Sequence, residues 1–558
     1  MEQISLIDLP DEMIRLIYSF LDDLHKENMR IINKRIYNVV KDIPWICTTY
    51  FQYFKNDTDP KMILSLDCTR DYVPSFLLTS SSFDNLKKLY CSEELDEMFP
   101  EDFAPNLERL DIFPSIIRGM FPEKFAPRLK YLNCGTNKIK GMFFENFAPL
   151  LETLYCGDTK IKGMFPENFG SKLKFLTCDS DRISGMFPEK FSPSLQYLDC
   201  GNTKISGMFL ERFGVYLNTL ICCHTQISTM FPESFGSNLR KLDCSRTQIS
   251  GMFPPNFAPL LQELYCNNTN ITGTFPEKFG SNLVILHCHN TKLSEMFEEY
   301  FAPRLKILHC YNTNISGVFP ANFSPLLEEL HCYDTQISGM FDVKFGTKLV
   351  NLKCHNTNIS GMFPDNFGPN LKSLSCYETK ISGVFPKNFA PLLTLLNCCK
   401  TNISKNFSEG ISPNLQILDC SFTNISEMFS PDFGPNLKIL ICNDTQLTGM
   451  FDENFGKNIE DLICFNTNIS GMFPENFGLN LKRLDCCNTN VSGMFPEKFG
   501  HYITSLYFGN TRIRGKIPPL FGINIKKISY DKNNIYFDHY SSLKEITNIR
   551  FYSYPDYF

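Results

Sequence analysis

The amino-acid sequence predicts an α/β solenoid of stacked coils, with short parallel strands on the concave side, short 3₁₀ or helical turns on the convex side, and a small all-α N-terminal segment. Three observations predict it. Cysteines recur every 22 residues from Cys134 to Cys486, 17 of them in one unbroken line. A fixed period of this length marks stacked repeats, because each unit buries its apolar face only against its neighbours. Within one unit, residues 129–150 (LKYLNCGTNKIKGMFFENFAPL), Leu132 and Cys134 alternate with Tyr131, Asn133 and Gly135, and alternation of period two is the pattern of a strand. Phe143 and Phe147 stand four apart, and most units repeat the pair. That spacing directs both rings to one side, where they fill the back of the coil.

Taken in chain order, residues 1–47 do not repeat. Ile14, Ile17, Tyr18 and Leu21 share one helical face, and Asp11 and Glu12 suit a helix start just after Pro10. A second amphipathic pattern runs through Met29, Ile32, Ile36, Val39 and Val40. Residues 48–62 read as a connector, residues 63–535 as about 22 coils, and residues 536–558 as a C-terminal cap with Tyr536, Phe537, Tyr540 and Phe551 over the last coil.

Inside each coil the pattern is L-x-x-L-x-C-x-x-T-x-I, followed by G-M-F-P-E-x-F. Parallel strands lie about 4.8 Å apart, so only small or medium apolar groups stack in line, and a thiol serves as a small hydrophobe. A threonine line from Thr159 to Thr511, broken only at Asp181, sits where the strand bends away. A buried hydroxyl there can donate to a carbonyl and accept an amide that the turn would otherwise orphan.

The coil pattern resembles the leucine-rich repeat, L-x-x-L-x-L-x-x-N-x-L, with Cys at the third Leu and Thr at the Asn position. The N-terminal segment resembles an F-box through Leu9-Pro10-Asp11-Glu12, the run ending at Leu21, Asp22-Asp23 and Trp45; it departs from that family at Ile31–Tyr37. The second resemblance implies docking on a Skp-type adaptor of a cullin–RING ubiquitin ligase through Leu9, Pro10, Ile14, Ile17 and Leu21. The other reading of this segment is a helical cap on the first coil.

Composition bounds the function. With 558 residues, 43% hydrophobic and 20% charged, the chain folds; a net charge of −6 without a basic block argues against nucleic acid. No apolar run is long enough for a membrane span, and the acidic start lacks a signal-peptide core. The 23 cysteines, mostly on one buried line, read as reduced core thiols. These features predict an intracellular protein of the cytoplasm or nucleus.

No nucleotide-binding, metalloprotease or C-x-x-C motif is present, so no catalytic residues, cofactor or metal are expected. Binding candidates come from outward strand positions, which need not obey the repeat. His287, His289, His309, Tyr311, His331, Tyr333, His355 and Tyr377 gather on one face of consecutive coils and predict a partner-binding patch. Because stacked imidazoles repel when charged, partner affinity is expected to change below about pH 6.5. The column His287–His309–His331 offers a line rather than a tetrahedron, hence no metal. A second, apolar patch is expected at Ile441, Ile463 and Phe465. Together these readings predict a non-enzymatic adaptor that recruits a protein target to a ubiquitin ligase; the alternatives are a leucine-rich-repeat interaction scaffold without a ligase role, or a secreted or surface recognition protein.

Overall fold

The computed structural model describes residues 9–21, 34–40, 45–50, 63–68, 83–92, 98–516 (apart from 115–116, 137, 277–278, 387, 405–411, 431–432 and 454), 525–530 and 535–536. The chain forms two compact units, Met1–Asn270 and Ile271–Phe558.

The first unit opens with two helices, α1 (Asp11–Phe20) and α2 (Lys34–Val40). They pack through Ile14, Tyr18, Ile36, Val39 and Val40, with Leu9 and Leu21 against the edge of that cluster. Arg35 ties the pair together, donating to the Leu9 carbonyl at 3.2 Å and pairing with Asp11 at 3.5 Å. Strand β1 (Trp45–Tyr50) then pairs in parallel with β2 (Ile63–Cys68), Thr49 opposite Leu66. The expected connector at 48–62 therefore begins as sheet; its remainder, 51–62, lies outside the described residues, as does the aromatic cap beyond Tyr536.

From β2 onward both units repeat one coil. After two irregular steps of 23 and 21 residues, Leu66 to Leu89 to Leu110, a three-residue strand such as Tyr131–Asn133 pairs in parallel with its equivalent 22 residues on, Leu132 opposite Leu154, and the described pairs keep that step. The amide of each ladder cysteine extends the pairing, as when Cys244 donates to the Tyr265 carbonyl at 2.8 Å. The chain turns two residues later through a left-handed residue, commonly asparagine (φ 51–55° at Asn202, Asn290, Asn312 and Asn466). Asparagine tolerates that region because its short amide bonds locally. Here it also bonds between coils: Asn510 donates to Asn488, Asn488 to Asn466 and Asn466 to Asp444 at 3.0, 2.7 and 2.8 Å.

Beyond the turn lies a feature absent from the expectation. The I-S-G segment forms a second row of short parallel strands, for example Lys380–Gly383 between Asn358–Gly361 and Asn402–Ile403. The F-P-E-x-F segment then closes a single 3₁₀-type turn, Phe169 N donating to the Pro166 carbonyl at 3.2 Å.

Each predicted ladder has its physical partner. Thiols such as Cys178, Cys310 and Cys442 are buried, and burial holds them well above the ordinary thiol range. In coil after coil the threonine hydroxyl donates to the carbonyl of the cysteine three residues back, at 2.7 Å for Thr247 and Thr401. Acceptance of the following amide is weaker and occasional, at 3.4 Å from Ile161 and Ile205. At the exception, Asp181 is exposed and its neighbour Ser180 is buried instead, bonding the Thr159 carbonyl at 3.1 Å. Among the described residues the phenylalanines form ring stacks from Phe83 to Phe257 in the first unit and from Phe275 to Phe389 and Phe429 to Phe499 in the second, with centroids such as Phe187–Phe191 at 5.0 Å and Phe165–Phe187 at 6.4 Å.

Candidate functional site

The strands Ile285–His287, Ile307–His309 and Glu329–His331 of the second unit lie in exact-step register, so His287, His309 and His331 face one another across the sheet. Their rings stack with centroids 4.2 and 4.3 Å apart, the second pair within 7° of parallel. One step to the other side of the buried cysteines runs a second column: His289, Tyr311, Tyr333, His355 and Tyr377, with successive centroids at 4.2, 4.4, 4.3 and 4.2 Å. The columns stand 6.0–6.4 Å apart. Strand spacing is close to the stacking distance of flat rings, so the backbone itself enforces the stack. All eight predicted residues thus meet on one face, as two fixed rows with polar tips.

Polar neighbours hold the rings. Glu329 Oε1 lies 2.9 Å from His309 Nε2 and 3.2 Å from His331 Nε2. The Asn351 amide nitrogen is 3.3 Å from His331 Nε2, and Ser375 Oγ is 3.3 Å from His355 Nδ1. Burial lowers the pKa of His331 to about 4, with the His309 charge adding to it; burial lowers that of His355 to about 4 as well. At these two rings, therefore, protonation sets in well below the pH 6.5 expected from stacking alone, because desolvation of the imidazolium outweighs the nearby carboxylates.

Two expectations change. Ile441 and Ile463 occupy outward positions but are buried, at 4% and 1% exposure, so they offer no apolar patch; only Phe465 is partly exposed. Among the adaptor-facing residues read from the sequence, Ile14 is fully buried between α1 and α2, Leu9 and Leu21 are partly covered by the same cluster, Ile17 is half-buried and Pro10 exposed. The apolar side chains that α1 does expose are Met13, Leu16 and Phe20.

A row in the first unit was missed. The Arg109 guanidinium lies 3.5 Å over the Tyr131 ring, and Tyr131, Tyr155, Phe175 and Tyr197 follow at 5.8, 5.0 and 4.1 Å. Inspection of only the residues flanking each cysteine overlooks it, since Tyr131, Phe175 and Tyr197 stand three positions before. Beside it, burial and mutual repulsion raise the carboxyl pKa of Asp179, and burial that of Asp199. By contrast, a groove of about 970 Å³ beside Lys438 in the second unit is lined by Asn436, Asn458 and Asn480, whose amides are already committed to backbone carbonyls at 2.9–3.0 Å.

A family model described as Leucine Rich Repeat matches residues 238–260. The fold is shared over far more of the chain with solved structures. A TDR receptor is 21% identical, with a TM-score of 0.72 over 86% of this chain and 90% of that one. The fold is a leucine-rich-repeat solenoid. The Arabidopsis receptor kinase HAESA ectodomain, solved with an IDA peptide hormone ligand, is also 21% identical, with a TM-score of 0.66 over 85% of this leucine-rich-repeat chain and 88% of its own. YopM from Yersinia enterocolitica is 18% identical, with a TM-score of 0.61 over 94% and 100%. No curated protein matches.

These likenesses correct the cytoplasmic placement expected from the cysteines, since the solved neighbours include the ectodomain of a plant receptor kinase. The physical reason is that thiols packed at 0% exposure report the needs of the core, and so carry no information on compartment. Among the described residues no helix is long and apolar enough to cross a membrane.

Proposed function

We propose that this leucine-rich-repeat protein is a scaffold that binds a polypeptide on the open face of its main sheet, with the His/Tyr columns of the second unit as the principal contact. The observation that carries this reading is the double ring stack. Aromatic side chains with polar tips supply most of the energy at protein interfaces. Rings already immobilised against one another lose little freedom when a partner arrives. The Arg109–Tyr197 row of the first unit offers a contact of the same kind. The peptide hormone in the HAESA structure supports a polypeptide as the class of partner.

The test selects a displayed library of random peptides on the whole protein and measures the selected peptides against a Tyr311→Ala/Tyr333→Ala variant. Binding is expected to weaken at least about tenfold, and to be unchanged in Met362→Ala, which alters an exposed side chain away from the columns. Peptides that bind the double tyrosine variant as tightly as the parent protein refute the reading.

We infer further that the helix pair docks a Skp-type adaptor of a cullin–RING ligase, which would make the scaffold a recruiter of targets. What favours this finer reading is the exposure of Met13, Leu16 and Phe20 at 46%, 54% and 82%. Their spacing of three and four residues places them on one stripe of α1. In a pull-down with such an adaptor, Leu16→Asp/Phe20→Asp should abolish retention. Failure of the unaltered chain to retain adaptor leaves the helices as a cap.

A further inference from the structure

The histidine column alone is a line, and a line does not hold a metal ion. Glu329 breaks it. It stands two residues before His331 on the same strand, so its side chain emerges on the same face but one column over. The carboxylate reaches back to touch both imidazole edges, at 2.9 Å from His309 Nε2 and 3.2 Å from His331 Nε2. Two nitrogens and one carboxylate oxygen thus form a compact triangle. Ligand atoms bonded to one tetrahedral ion at about 2.0–2.2 Å lie roughly 3.3 Å apart, so little opening is required. A fourth donor adjoins the triangle: the Asn351 amide sits against His331 Nε2, and its Oδ1 is buried without a hydrogen-bond partner. Turning that amide about its bond brings the oxygen to the place its nitrogen holds, 3.3 Å from His331 Nε2.

We propose that His309, Glu329, His331 and Asn351 bind one divalent transition-metal ion, with zinc as the ligand their nitrogen and oxygen donors suit. Imidazole and carboxylate select this class over calcium or magnesium, which take oxygen alone. The ion requires the two stacked rings, 4.3 Å apart, to tilt toward each other. His287, His289 and His309 form a second triad that shares His309; one ion therefore excludes another, and Glu329 decides for the first triad. Lys353 lies in register beside His331 and opposes the ion's charge. The site is independent of the polypeptide reading and stands or falls without any partner.

The experiment titrates zinc chloride alone into the whole protein, stripped with chelator, by calorimetry. One ion per chain is expected. Glu329→Gln and His331→Asn should each weaken binding tenfold or more with an unchanged circular dichroism spectrum, His224→Asn in the first unit should leave it unaltered, and Lys353→Met should tighten it. Three outcomes overturn the proposal: no heat beyond dilution; binding that survives Glu329→Gln and His331→Asn but is lost in His287→Asn, which places the ion on the other triad; or a thiolate charge-transfer band after cobalt substitution, which places it on cysteine.

Discussion

Replacing Phe165 by alanine is expected to destabilise the first unit by about 3–5 kcal/mol, the cost of emptying a large buried aromatic site. Phe165 is 2% exposed and touches four other rings: Phe143 and Phe187 at 6.3 and 6.4 Å, Phe169 and Phe191 at 5.4 and 5.2 Å. Those rings belong to three successive coils, so the cavity cannot be closed by moving one loop. In a stacked array stability is a sum of unit and neighbour terms, and losing one ring weakens both interfaces of its coil. Hydrogen exchange should show protection lost first between Phe143 and Phe191, with distant coils little changed. Phe165→Leu, which keeps most of the apolar fill, should cost markedly less. A loss below about 1 kcal/mol for the alanine variant would mean that the strands, and not the ring stack, carry the core.

Acidification is expected to cost the second unit stability through His355. Its folded pKa is lowered to about 4 from the ordinary 6.5, burial between Tyr333 and Tyr377 being the main cause, with Lys353 adding to it and Asp334 and Glu378 opposing it. The unfolded chain therefore takes up a proton first. Between about pH 6.5 and 4 the unfolded state binds more protons, so stability falls as pH falls; it is fully present above 6.5 and levels off below 4. Linkage at 1.36 kcal/mol per pKa unit, reduced for a ring that solvent partly screens, gives about 1–2 kcal/mol. Urea unfolding in chelator-containing buffer at pH 7.5 and 5 should show this loss, and His355→Phe, which keeps the stack without the titrating group, should reduce it by the His355 share, leaving the part that the similarly lowered His331 contributes. An identical pH response in the variant would sink the assignment.

Much of the fold is legible in the chain. The 22-residue period, the inward leucine, cysteine and phenylalanine lines and the threonine hydroxyls all follow from local rules, since a strand alternates its side chains and a bend must satisfy its carbonyls. The eight ring residues of the site were also legible, because they depart from the repeat at positions that the alternation turns outward. Alternation does not report exposure, however. Ile441 and Ile463 point outward and are still buried, standing in register beside each other on neighbouring strands. The second strand row escaped notice for a similar reason, since two to four residues of I-S-G carry no period long enough to read.

What the sequence by itself determined is therefore the repeat, its register and which side of each strand is buried; these depend on residues near in the chain and on their spacing. Only the tertiary structure decided which outward groups meet. Glu329 between two imidazoles, Ile14 turned into α2, Arg109 over Tyr131 and the lowered pKa of His355 all depend on side chains from separate coils or helices. Such contacts are fixed by the spacing of neighbouring strands and by desolvation, and neither quantity is written in any single coil.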